Sequence, residues 1–277
     1  MKEVLLSDGI SMPVLGYGVY NIPASSTEKC VSEALGVGYR LIDTAQYYRN
    51  EAEVGRAVRL SPVPRGEVFL TSKVCLSSSR IPGRTRAIAT ESVKESLHRM
   101  GLDYIDQMLI HWPMGHDDEI WEALLSLKDE GLIRSAGVSN FYPRTLGPLV
   151  ESSGVTPPVN QIEVSVYYQQ KRMLPIMREK GVQVVAWSPL AEGRSAVFTD
   201  PTLLDIASLH HRTVAQVALR FLLQQGIAAI PKTVHPERMK ENFDVFDFDL
   251  TQEDIDRIRL LDRGRPISHW PSDALVY

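Results

Sequence analysis

Short apolar runs alternate with stretches of helical spacing from Leu15 to Ile230, and no other feature constrains the fold as strongly. The apolar runs predict strands at 15–20, 39–42, 68–73, 105–111, 135–138, 159–163, 182–187 and 227–230. Between them, helices are expected from Ser25 or Ser26 (as cap) to Leu35, stopped by Gly36 and Gly38. Others are expected over 51–60, 87–100 (stopped by Gly101) and from a cap at Asp117 or Asp118 to Gly131. Further helical stretches lie near 143–152, 171–180, 201–210 and 213–225. The run over 105–111 is almost continuously apolar, as a parallel strand covered on both faces requires. Eight such units with no linker or composition break predict one (β/α)8 barrel domain over 1–277, with a doubly wound sheet as the competing architecture. Residues 4–14, with Asp8-Gly9 as the turn and Pro13 at the end, predict an N-terminal β-hairpin that closes the barrel's bottom.

In such a barrel the chemistry sits just past the strands' C-terminal ends. Those positions hold Asp43 with Tyr48, Lys73, His111 with Trp112, Ser139-Asn140, Gln161, Trp187-Ser188 and Pro231-Lys232-Thr233. Each alone fits a cap, a rim charge or a packed aromatic; their convergence on one rim points to a site. Tyrosine, with a usual pKa of about 10, is a poor acid, and Lys73, held by Asp43, is expected to lower that value. Tyr48 then matches a developing alkoxide, while a neutral His111 orients the carbonyl oxygen. This set protonates an oxygen but carries no nucleophile, so a hydride from a cofactor is the simplest partner.

No GxGxxG opens a helix after a strand, since Gly16 and Gly18 precede Val19-Tyr20-Asn21. Phosphates are expected instead at Lys232, Thr233 and Arg238, before and inside a helix start, where two cations favour a 2'-phosphate and hence NADPH. Trp187 offers a flat face to the nicotinamide, and Ser139, Asn140 and Gln161 can bind its carboxamide. The formal net charge of -4 provides no basic field for nucleic acid or anionic membrane. Cys30 and Cys75 form no disulfide framework or CxxC pair, and no apolar run is long enough to span a bilayer; a cytoplasmic protein is expected.

The stretches GYRLIDTAQYYRNEAEVG, LIHWP, GVSNF, VNQIE, AWSPL and IPKTVHPERMKENFDVFDFDLT resemble the aldo-keto reductase family, in the short bacterial branch that includes 2,5-diketo-D-gluconate reductases. The resemblance covers essentially the whole chain. It implies a (β/α)8 barrel, NADPH-dependent reduction of small carbonyl substrates, no metal and a monomer. By position it makes Tyr48 the acid–base group, with Asp43 and Lys73 tuning it and His111 orienting the substrate. It also places Ser188 and Leu190 at the pyrophosphate, and Glu241 and Asn242 at the adenine. Two segments depart from the family: Lys73-Val74-Cys75-Leu76-Ser77 lacks the usual tryptophan, and VNQIE continues as Val164-Ser165-Val166. Short loops predict an open pocket walled by Tyr20, Tyr47, Trp112, Cys75 and the tail from Ile267 to Trp270, tolerant of many carbonyls. Competing functions are a redox sensor or structural barrel that keeps the cofactor, and a metal-dependent hydrolase using His210-His211 or Asp117-Asp118-Glu119.

Overall fold

Asp8 and Gly9 turn the chain back on itself at its start. Gly9 takes a φ of 85°, the left-handed region glycine enters freely, and β1 (Glu3–Leu5) pairs antiparallel with β2 (Ser11–Pro13). The computed structural model describes residues 2–76, 83–193 and 195–268.

Eight parallel strands follow, each hydrogen-bonded to the next in chain order. They are β3 (Gly16–Gly18), β4 (Leu41–Asp43), β5 (Phe69–Val74) and β6 (Ile105–Ile110), then β7 (Ile133–Ser139), β8 (Val159–Glu163), β9 (Gln183–Trp187) and β10 (Ala228–Ala229). A parallel bridge between Leu15 and Ala229 and a 3.0 Å bond from the Gly18 N–H to the Pro231 carbonyl join the last strand to the first. A Cβ on Gly16 would sit 2.5 Å from the Leu41 side chain. The Gly16–Gly18 pair therefore serves close strand packing at the seam, not phosphate binding.

The outer ring comprises α1 (Ala24–Val37), α2 (Glu51–Leu60), α3 (Thr85–Met100), α4 (Asp117–Asp129), α5 (Pro143–Ser153) and α6 (Met173–Glu179). It continues with α7 (Ser195–Phe198), α8 (Pro201–Leu209), α9 (Val214–Gln224), α10 (Pro236–Phe243) and α11 (Gln252–Arg259). Two sequence expectations fail at helix ends, and one further helix lies outside them. Helix α1 starts at Ala24 after Pro23, so Ser25 and Ser26 lie inside it, and it runs through Gly36 to stop at Gly38. His116, not Asp117 or Asp118, is the N-cap of α4, while Asp117 Oδ1 accepts a 2.8 Å bond from the Met114 N–H in the preceding turn. Helix α11 was not expected at all; Thr251 and Asp254 form its capping box.

Apolar side chains pack in two places. The larger cluster lies between strands and helices, with Trp121, Phe141 and Tyr39 among its fully buried members. The smaller fills the barrel interior, where Leu41, Phe69 and Val159, at the first residues of their strands, meet Leu6 and Met12 of the hairpin. The hairpin thus seals the N-terminal end, leaving the opposite rim for polar residues.

Candidate active site

At that rim, the 3-10 turn Gln46–Tyr48 follows β4 and presents Tyr48 over Lys73 of β5. Glu51, buried at the start of α2 just after the turn, accepts bonds from Ser72 Oγ of β5 at 2.7 Å and from Arg99 of α3 at 2.7 Å. Lys73 is fully buried, and its ammonium donates to Asp43 Oδ1 at 2.6 Å, to the Thr44 carbonyl at 2.9 Å and to Tyr48 Oη at 3.2 Å. All three ammonium protons are thereby engaged. Because Tyr48 Oη accepts from Lys73, its own proton is free to point elsewhere.

A polar chain extends from this pair around the rim. Asp43 Oδ2 accepts from Gln161 Nε2 at 2.7 Å, and the Gln161 carbonyl accepts from Ser139 Oγ at 2.9 Å. Asn140, in the left-handed region at φ 59°, donates to Ser139 Oγ and to the His111 carbonyl, both at 3.1 Å. Its Oδ1 accepts from Trp187 Nε1 at 2.9 Å, which fixes the indole plane. The residues expected at a carboxamide and a nicotinamide face are therefore wired to the same carboxylate that holds Lys73.

The electrostatics correct one expectation. Burial, then the charge of Asp43, pushes Tyr48 well above the usual tyrosine value, and Lys73 does not reverse this. Burial lowers Lys73 itself, against the charge and hydrogen bond of Asp43. Tyr48 is accordingly a phenol, the form that donates a proton. Burial and the neighbouring Lys73 drive His111 well below the usual histidine value, so its ring is neutral. Its Nδ1 is buried with no hydrogen-bond partner among the described residues. A proton there would leave a buried unmet donor, which assigns the tautomer protonated at Nε2.

Aromatic rings crowd the open side. Tyr20 lies 4.9 Å from Tyr48, Tyr47 meets Trp112 edge-on at 5.6 Å, and His111 stands 5.6 Å from Tyr48. Tyr20, Tyr47, Tyr48 and Arg49 line a cavity of about 500 Å³ together with Asn21, Ile22 and Pro23. Arg49 was not anticipated from the sequence, although a cation directly after Tyr48 was a visible signal. Cys75 does not wall this cavity; it lines a separate one of about 510 Å³ with Gln46, Arg49 and Ser92. Trp270 lies outside the described residues.

On the other side, Ser188 (φ 55°), Ala191 (φ 50°) and Glu192 (φ 59°) make a tight left-handed turn after β9. Each costs about 1–2 kcal/mol, offset in part by the 2.9 Å bond from the Glu192 N–H to Ser188 Oγ. Leu190 packs against the core there. Thr233 is buried, its Oγ1 accepting from the His235 N–H at 3.1 Å, and exposed Lys232 and Arg238 flank the start of α10. Neither cation has an ion-pair partner among the described residues. In α10, Glu241 accepts from Thr213 Oγ1 at 2.7 Å and Asn242 is buried. Of the residues weighed as metal ligands, His210 Nε2 lies 2.8 Å from Asp254 Oδ2 and Asp117 Oδ1 holds the Met114 N–H, and no group of three possible ligands occurs among the described residues.

The family model "Aldo/keto reductase family" matches residues 14–263, which takes in the whole barrel and its rim. The chain belongs to the aldo/keto reductase family. It is 42% identical over 270 residues to 2,5-diketo-D-gluconic acid reductase B of a Corynebacterium species, covering 96% of this chain and 95% of that one. With the methylglyoxal reductase DkgA of Escherichia coli it shares 39% identity over 271 residues, 97% of this chain and 96% of the other. The crystal structure of an aldo/keto reductase from Brucella melitensis superposes with a TM-score of 0.89 at 42% identity, covering 94% of this chain and 99% of that one. An aldo/keto reductase is an oxidoreductase of carbonyl groups that works with a nicotinamide cofactor. Among the described residues no helix is long and apolar enough to cross a membrane.

Proposed function

We propose that this protein reduces aldehydes and ketones to alcohols with NADPH, and that Tyr48 supplies the proton. The observation that carries it is the Lys73 ammonium, whose third hydrogen bond ends on Tyr48 Oη at 3.2 Å. When bound, the nicotinamide supplies the hydride. Tyr48 gives its proton to the carbonyl oxygen, and the phenolate left behind faces a positive charge held in place by Asp43. His111 donates from Nε2 to the same oxygen and orients it.

The chain's residues fit the cofactor. Trp187 would face the nicotinamide, and Ser139, Asn140 and Gln161 its carboxamide. Ser188 and Leu190 fall to the pyrophosphate, Lys232, Thr233 and Arg238 to the 2'-phosphate, and Glu241 and Asn242 to the adenine. Lys232 and Arg238, with no ion-pair partner among the described residues, favour NADPH over NADH. Tyr20, Tyr47 and Trp112 would wall the substrate pocket, and its openness favours a broad range of small aldehydes, dicarbonyls and keto sugars, consistent with what the two relatives' names describe. We infer a monomeric, single-domain cytoplasmic enzyme that takes no nucleic-acid or membrane partner.

The test is cofactor consumption with an aromatic aldehyde, methylglyoxal, a diketo sugar acid and a cyclic ketone. Oxidation of NADPH well ahead of NADH is expected. Equal use of both would remove the 2'-phosphate assignment, and no oxidation of either would remove the activity.

A further inference from the structure

Glu163, the last residue of β8, is fully buried, yet no cation pairs with it among the described residues. Burying a carboxylate is unfavourable unless hydrogen bonds replace its water. Among the described residues, every side-chain bond it makes comes from one short segment more than a hundred positions further along the chain. Oε1 accepts from the Ile267 N–H at 2.7 Å and the Ser268 N–H at 3.1 Å, and Oε2 accepts from Ser268 Oγ. In strand register Glu163 stands directly beside Trp187.

The neighbouring contacts run the same way. Asp262 Oδ1 accepts from the Gln169 N–H at 3.1 Å, the Arg263 N–H donates to the Tyr167 carbonyl at 2.8 Å, and the Arg263 guanidinium lies 3.9 Å from the Tyr167 ring centroid. Val164, Ser165 and Val166, where the sequence leaves the family pattern, are all buried.

We infer that Glu163 is a positioning residue that pins the segment Asp262–Ser268 to the rim beside Trp187, and so sets the fit of bulky carbonyl substrates without acting on the cofactor. This rests on the carbonyl-reductase reading of the rim. A carboxylate serving only fold stability would affect melting and leave substrate discrimination alone.

The test combines hydrogen exchange with kinetics on Glu163→Leu, which removes both acceptor oxygens and leaves the Ile267 and Ser268 donors without their partner. Amide exchange at Ile267 and Ser268 should accelerate about tenfold or more. KM for a bulky carbonyl should rise about 5–10-fold, while KM for methylglyoxal, kcat and the NADPH Kd stay within about twofold. Ser268→Ala, which removes one of the three bonds from a coil position, should give an intermediate effect and keeps the test available if Glu163→Leu does not fold. Unchanged exchange in the variants overturns the inference, as does faster exchange with unchanged KM, or a joint rise of both KM values and the cofactor Kd. Failure of the underlying activity would appear in the wild-type protein as no carbonyl reduction at all, before any variant is compared.

Discussion

At the scale of single residues, the site depends on which groups hold protons. Tyr48, pushed up by burial and Asp43, and His111, pushed down by burial and Lys73, are both neutral across the ordinary range. The reduction rate should therefore be flat from about pH 6 to 9. An inflection between pH 6 and 7 in the kcat/KM profile would contradict a neutral His111. The same shift sets a sign for stability. A histidine whose folded value lies below the unfolded one, about 6.5, contributes stability present above that value and lost as the pH falls through it. Melting curves of His111→Gln should accordingly lose less stability on acidification than the wild type. The residue types and their order were legible in the sequence, because each follows an apolar run. The direction of the Tyr48 shift was not, since it depends on depth, and burial outweighs an ammonium whose charge is already shared with Asp43.

At the scale of elements, the start of α10 is where cofactor choice would be made. A charge-assisted hydrogen bond is worth about 1.5–3 kcal/mol, so Lys232→Ala or Arg238→Ala should weaken NADPH binding about 10–100-fold and leave NADH binding nearly unchanged. Titration of both cofactors by fluorescence measures this, and parallel loss of the two would place these cations elsewhere than at the 2'-phosphate. Most elements were readable from period and stop signals: β8 and α2 have the expected bounds. Helix α11 shows no readable period because Ile255 and Ile258 are its only apolar residues, too few for a stripe, although Thr251 and Asp254 carry a capping signal. Ser25 and Ser26 misled because a cap residue inside a helix looks the same in sequence as one before it. The role of Glu163 could not be read, since its partners are distant in the chain and share no local pattern with it.

At the scale of the whole molecule, stability and chemistry occupy opposite ends of the barrel. Met12, fully buried against Leu41 and Phe69 of the interior, belongs to the sealed end. Met12→Ala should destabilise the fold by about 2–5 kcal/mol in denaturant unfolding while leaving the NADPH-to-NADH ratio of kcat/KM unchanged. The barrel architecture was legible because its repeat covers the chain; the closure at Leu15–Ala229 was not, because strands as short as β3 and β10 show no period of their own. The central claim is that Tyr48 gives the proton from a site the cofactor does not need for binding. Tyr48→Phe tests it most directly, with turnover and NADPH affinity measured on the same preparation. Turnover should fall by about 10²–10⁴-fold while the NADPH Kd stays within about twofold; turnover within about tenfold of wild type, or a comparable loss of both quantities, would contradict the account.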